Sequence, residues 1–210
     1  SPALAKGSTG VSGLQDSQPG GGNEPCAIRL VQPRDAYDVH SLRFRYQSTK
    51  PSNSPWIVED VSFQVAQGQV LGIVGPNGSG KTSLLKLLAR LATPQQGGIT
   101  LFGRDMAAMK QEEIARIVGV VPQDTPQLFP FTVAETVLMG RFPHRPRNGW
   151  GSGFGWESGE DVAIAEDAMR TMDVAHLAQR AVTDLSGGER QRTMIARALA
   201  QTPQVLLLDE

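Results

Sequence analysis

The sequence predicts an α/β fold: strands alternating with helices in a core, interrupted by an inserted helical lobe. Short apolar strand-like runs alternate with helical periodicities at both ends of the chain, and the stretch between them reads only as helix and loop. The apolar share of 40% and charged share of 20% are near the soluble-globular norm, and 210 residues suffice for one substantial domain. Lys plus Arg number 20 against 21 Asp plus Glu, a net charge of −1 that argues against a dedicated nucleic-acid binder. No uninterrupted apolar run exceeds four residues, so no membrane-spanning helix is predicted and any membrane role must come through a partner. The lone Cys26 excludes an internal disulfide framework and fits a reducing compartment.

In chain order, residues 1 to about 25 are rich in Gly, Ser and Pro without apolar periodicity, and read as a flexible tail or linker. The tail is placed at 1–36 and the domain at 37–210, with its core at about 37–130 and 185–210 and the helical lobe at about 131–184. From Val39, Leu42, Phe44 and Tyr46 alternate with Arg43 and Arg45, as in a half-buried strand. A polar, proline-containing loop follows, then the short strand VSFQV. The turn at Gln67-Gly68 leads to QVLGIVG, an apolar run suited to a central strand. A Gly-rich loop then opens a helix with Leu84, Leu87, Leu88 and Leu91 on one face. GGITLFG reads as a strand, QEEIARI as a short helix, and VGVV as a strand ended by Pro122.

In the middle, Thr132 and Glu135 form a capping box that starts a helix over VAETVLMG, and RFPHRPRNGWGSGFGW reads as loop. A helix from about Gly159 to Met172 places Val162, Ala165, Met169 and Met172 on one face. Ser186 with Glu189 caps one more helix, and QVLLLDE is a buried strand.

Three segments carry chemistry. Gly75-Pro76-Asn77-Gly78-Ser79-Gly80-Lys81-Thr82 satisfies G-x-x-x-x-G-K-[ST], and it lies between an expected strand and an expected helix. Its glycines let successive backbone N–H groups turn inward as an anion nest at a helix N-terminus, Lys81 reaches the β- and γ-phosphates, and the Thr82 hydroxyl ligates Mg²⁺. Four apolar residues followed by Asp209 and Glu210 place two carboxylates at a strand end, one for the metal and one to orient water. On its own this would be a strand with a solvated acidic end; behind a phosphate loop the weight reverses. Ser186, Gly187 and Gly188 open another helix with a hydroxyl and two glycines, a second anion site beyond an ordinary capping box.

Taken together, the Gly75–Thr82 loop (Walker A), VVPQD around Gln123, LSGGERQR at 185–192 and VLLLDE at 205–210 resemble the nucleotide-binding subunit of ABC transporters, from about Val39 onward. The resemblance implies a P-loop NTPase with a RecA-like core sheet, an antiparallel β subdomain and an inserted helical lobe. It implies ATP and Mg²⁺ as cofactors. Tyr46 corresponds to the aromatic that stacks on adenine, and Ser83 extends the Walker A contacts. Gln123 matches the glutamine that reaches Mg²⁺ and the water, and Asp209 and Glu210 match the Walker B aspartate and catalytic glutamate. Ser186, Gly187 and Gly188 match the signature that contacts the γ-phosphate held by a partner subunit. The implied partners are a second ATPase subunit, as a homodimer, a membrane permease and, indirectly, a substrate-binding protein, with no nucleic acid. The implied location is the cytoplasmic face of the plasma membrane, peripheral through the permease.

The run from Thr132 to His144, with G-x-I-x-L-F-G-R-D from Gly97, is similar to importer ATPases for iron–siderophore, haem and vitamin B12. An exporter ATPase and a soluble ABC protein acting in translation or DNA repair stand as alternatives. The insertion from Arg145 to Trp156 reads either as a permease contact or as a variable solvent loop. His40, His144 and His176 read as surface or packing histidines. The chain begins at Ser1 and stops directly behind an apolar strand, so we expect a fragment incomplete at its C-terminus and inactive as an ATPase by itself.

Overall fold

The computed structural model describes residues 35–46, 55–123, 130–145 and 158–209. The expected tail up to residue 34, most of the insertion after Arg145, and Glu210 lie outside the described residues.

Two strands open the fold: β1 (Asp35–Phe44) and β2 (Val58–Ala66), which pair antiparallel. The inward residues of β1 are Tyr37 and Val39, then Leu42 and Phe44. Each pair follows the two-residue period of a strand, but the step from Val39 to Leu42 does not. The structure absorbs the extra residue as an irregularity in the pairing on both sides, with Ser41 at φ 45°. The strand accordingly starts four residues earlier than the alternation suggests, and Tyr46 lies beyond its end.

The helix α1 (Lys81–Leu88) follows, then β3 (Gln96–Leu101) and the two-residue β4 (Arg104–Asp105). β3 pairs with the other edge of β1, placing Val39 opposite Ile99, and the sheet order is β2-β1-β3-β4. This antiparallel sheet packs its apolar face on Leu84, Leu87 and Leu88 of α1. At the centre of that core the Tyr37 hydroxyl donates to the Leu88 carbonyl at 2.7 Å, in a buried position. Burial pushes the Tyr37 hydroxyl well above the usual tyrosine range, so the group stays protonated and remains a donor.

The helix α2 (Gln111–Ile117) runs directly into β5 (Val118–Val121). Beyond it lie α3 (Val133–Leu138), a 3₁₀ segment over Met139–His144, α4 (Gly159–Thr171) and α5 (Gly187–Ala200). The last strand is β6 (Val205–Leu208), and it pairs parallel with β5, Val121 opposite Leu208. The helices α3, α4 and α5 share a second core built on Val133, Val137, Met169, Val174, Val182 and Met194. Thr193, Ala196 and Ala200 are fully buried on one face of α5, small enough for a neighbouring backbone to lie close.

Five expectations need correction. The helix α1 ends at Leu88, which leaves Leu91 outside it and 65% exposed, and β6, expected to be buried, leaves Leu206 and Leu208 exposed on one side. Gln69–Gly75 forms no strand: Val70 is 95% and Val74 93% exposed, because no described strand lies alongside to take its backbone hydrogen bonds. The loop expected after Gly140 begins instead as the 3₁₀ segment through His144, even with Pro143 inside it. On α4 the buried residues are Ala165, Ala168 and Met169, while Val162 faces outward at the helix start.

Replacing Tyr37 with Phe leaves the Leu88 carbonyl unpaired in the core and should cost about 1–2 kcal/mol, read as a lower urea midpoint. The pH dependence has a definite sign. The folded Tyr37 holds its proton above the pH near 10 at which the unfolded side chain releases it, so the unfolded state binds fewer protons and stability falls as pH rises past that point. The Tyr37→Phe variant should lose this part of the alkaline slope; an unchanged slope between pH 9 and 11 would contradict it.

Candidate functional site

The loop Gly75–Gly80 turns into α1 through Gly80, which sits at φ 91° as the helix N-cap. A Cβ there would also lie 2.6 Å from the Ile57 carbonyl oxygen, so the position excludes every other residue on two counts. Pro76, Asn77, Gly78 and Ser79 are exposed, and Ser79 N donates to Pro76 O at 3.2 Å to close the turn. Lys81 lies back along this loop, its ammonium donating to Gly75 O at 2.8 Å and Pro76 O at 3.0 Å.

The N-terminus of α1 differs from those of the other α-helices. Each of α2 to α5 carries its own carboxylate in the first turn, Glu113, Glu135, Asp161 and Glu189 among them, whereas α1 has none. Its unpaired N–H groups and positive dipole end are therefore left to an anion from outside the helix.

Two more groups converge on the same helix start. The Thr82 hydroxyl donates to Asp209 Oδ1 at 3.1 Å, across 127 residues of sequence. Asp209 reaches that point because it directly follows β6, and its own N–H continues the parallel ladder to Val121 O at 3.0 Å. Gln123 follows β5 two residues past Val121, at the same end of the parallel pair as Asp209, and is exposed. On the other side the Tyr46 hydroxyl lies 3.4 Å from the Ser83 hydroxyl, within hydrogen-bond reach. The Tyr46 ring stands edge-on against Phe44, 4.9 Å between centroids, and is 49% exposed. An aromatic face braced on the core thus remains open beside the loop.

A hydroxyl and a carboxylate 3.1 Å apart form an oxygen donor pair of the kind Mg²⁺ takes. Among the described residues no group of three or more His, Cys, Asp or Glu assembles into an all-protein cage. The residues present therefore fit an ion that shares its coordination with phosphate oxygens and water.

Ser186, Gly187 and Gly188 are not part of this assembly; all three are exposed at the start of α5. The Ser186 hydroxyl donates to Glu189 Oε2 at 2.7 Å, and the Ser186 N–H donates to the same oxygen at 2.8 Å. These bonds hold the Glu189 carboxyl below its usual range. Among the described residues no hydrogen bond or ion pair joins Ser186–Gly188 to the loop at Gly75–Thr82. Glu210 lies outside the described residues. The sequence reading does not single out Arg45 and Trp56, whose guanidinium and ring stack at 4.6 Å next to Tyr46; an Arg and a Trp flanking that tyrosine across a polar loop were the available signal.

The sequence profile of the ABC transporter family matches residues 58–210. A cobalamin import ATP-binding protein of Halobacterium salinarum is 45% identical over 154 residues, 73% of this chain and 37% of that protein. A hemin import ATP-binding protein of Gloeobacter violaceus is 43% identical over 162 residues, covering 74% of this chain and 56% of its own length. Both chains are thus considerably longer than the segment they share with this one. Among solved structures, an ABC transporter of metal-chelate type in an inward-facing conformation superposes with a TM-score of 0.66 at 33% identity, covering 84% of this chain and 60% of that one. With the phosphate loop, the Thr82–Asp209 contact and the family profile all falling on one stretch, the chain belongs to the ABC transporter family.

Proposed function

We propose that this chain binds and hydrolyses ATP as the energy-supplying subunit of an importer for iron–siderophore, haem or cobalamin-type cargo. The observation that carries the ATPase reading is the Thr82–Asp209 hydrogen bond at the mouth of the phosphate loop. The cargo class is supported by import proteins that are 45% and 43% identical over segments covering 73% and 74% of this chain. In this reading a membrane permease is the partner through which hydrolysis is coupled to transport; among the described residues no helix is long and apolar enough to cross a membrane. The subunit is then peripheral to the cytoplasmic face of the membrane, and a substrate-binding protein reaches it only through the permease.

In this reading the backbone N–H groups of Gly78, Gly80, Lys81 and Thr82 hold the β- and γ-phosphates, with the Lys81 ammonium moving from the loop carbonyls to the phosphate oxygens. Tyr46 stacks on adenine. Thr82 and Asp209 hold Mg²⁺, with Gln123 reaching it from the end of β5; the ion, when bound, neutralises charge on the phosphates. Glu210, next to Asp209, orients the attacking water and accepts its proton. Ser186, Gly187 and Gly188 face the γ-phosphate of nucleotide held by a second copy of the subunit. For that contact the Ser186 hydroxyl must turn its proton away from Glu189, so closure of the pair trades an internal hydrogen bond for one to phosphate.

Lys81→Ala should weaken ATP binding about tenfold to a hundredfold, the loss of one charged hydrogen bond of about 1.5–3 kcal/mol, measured by titration with a fluorescent ATP analogue. Wild-type affinity and turnover would remove the phosphate-loop assignment. Glu210→Gln should keep ATP affinity and slow single-turnover hydrolysis by about 10²–10⁴-fold, the span of general-base catalysis. Unchanged hydrolysis would show that another group activates the water.

Ser186→Arg should leave ATP binding by the isolated subunit within twofold of wild type while suppressing steady-state hydrolysis. If affinity falls in the monomer, the hydroxyl serves its own subunit's nucleotide and the two-subunit reading fails.

A further inference from the structure

The buried charge at Arg141 is not used by the reading above. It lies in the 3₁₀ segment Met139–His144 and is only 6% exposed. Its guanidinium makes three bonds to two different elements. Nε donates to Asp161 Oδ1 in the first turn of α4 at 2.8 Å, and Nη1 donates to Ala200 O at 2.8 Å and to Thr202 Oγ1 at 3.3 Å, at the C-terminal end of α5. Asp161 is itself held by the Ser158 hydroxyl at 2.9 Å, and its carboxyl stays below the usual range.

The surrounding bonds fasten the same end of α5 from other sides. His144 Nε2 lies 2.8 Å from Gln201 O, and the Gln201 side chain donates to Val118 O at 2.8 Å and to Ala115 O. Gly140 rests directly on this turn: a Cβ there would come 2.1 Å from Arg197 O. The Ala200 carbonyl at the end of α5 is therefore capped by a cation, as the helix dipole favours. Apolar packing alone would hold α5 against its neighbours without setting its direction as closely. A planar guanidinium spanning Asp161 and Ala200 does set it, because its donors have fixed angles.

We propose that Arg141 is a positioning residue for hydrolysis, fixing the direction of α5 so that Ser186 and the Gly187 N–H at its far end meet the partner's phosphate. This rests on the two-subunit reading of Ser186 given above. The lever is long enough to matter. The 14 residues of α5 span about 20 Å, so a tilt of about 5° at the Arg141 end moves Ser186 by roughly 2 Å. A misplacement of about 1 Å at a reacting group can cost on the order of a hundredfold in rate. The three bonds of Arg141 go to α4 and to the end of α5 and none to the loop at Gly75–Thr82, so binding of nucleotide by the same subunit should be spared.

The test compares wild type, Arg141→Lys and Asp161→Asn in the natural full chain. Fluorescent ATP analogue counts competent sites, and kcat is expressed per site. Arg141→Lys should lower kcat per site tenfold or more with KM and ATP affinity within twofold, because an ammonium cannot bridge both acceptors. Asp161→Asn, which keeps the bond to Ala200 O, should lower kcat only about threefold. A merely structural role would reduce the number of sites and leave kcat per site unchanged; that result in Arg141→Lys overturns the proposal. Should Arg141→Lys yield no folded protein, Asp161→Asn decides: a wild-type kcat per site overturns the proposal and a reduced one at unchanged KM supports it. A wild-type chain that neither binds nor hydrolyses ATP overturns the ATPase reading itself, and this proposal with it.

Discussion

The parallel pairing of β5 with β6 is the constraint on which the rest of the arrangement depends. Two parallel strands cannot be joined by a tight turn, so the chain must leave one end of the pair and return to the other. Here that excursion contains the helices α3, α4 and α5. Because the strands run the same way, their ends lie side by side, and Gln123 and Asp209 emerge at one edge. An antiparallel pairing would put them at opposite ends and leave Thr82 with no carboxylate partner.

The same pairing ties the lobe to the core at its other end. Gln204 N donates to Ile117 O at the start of the ladder, and the Gln201 side chain bonds to Val118 O one residue further along. The C-terminus of α5 is therefore anchored to the sheet within a few residues of where β6 begins, while its N-terminus projects Ser186 into solvent. One helix thus joins the start of the strand whose far end carries Asp209 to the exposed Ser186. Electrostatics divides labour along the chain in a similar way. Four of the described α-helices carry their own carboxylates in the first turn, and α1 carries none.

Legibility of these features follows their range in sequence. The phosphate loop needs only eight consecutive residues whose backbone angles glycine permits, and it was readable in full. The capping boxes at Thr132 and Ser186 are equally local, each a side chain satisfying an N–H three residues on. The run Gln69–Gly75 is the opposite case. Its composition is that of a central strand, but a strand exists only where another chain segment takes its hydrogen bonds, and periodicity carries no information about that neighbour. The start of β1 was misjudged for a related reason. The irregularity at Ser41 shifts the inward phase by one residue, so Tyr37 and Val39 looked unrelated to Leu42 and Phe44.

By itself the sequence determined which residues could hold phosphate and where the helices begin, because backbone freedom and first-turn capping are decided within a few residues. The order of strands and helices followed from apolar period in the same way, except at Gln69–Gly75, where no strand forms. Only the tertiary structure decided that Asp209 meets Thr82, that Tyr46 sits beside Ser83, and that Arg141 grips the end of α5. Each of these joins residues between 37 and 127 positions apart, and such distances close only through sheet pairing and core packing, which no single segment encodes. A buried arginine in the middle of an apolar helix run looks like a surface residue until its acceptors are known. Of its three partners, Asp161 and Ala200 lie on different helices, and packing alone brings them within reach of one guanidinium.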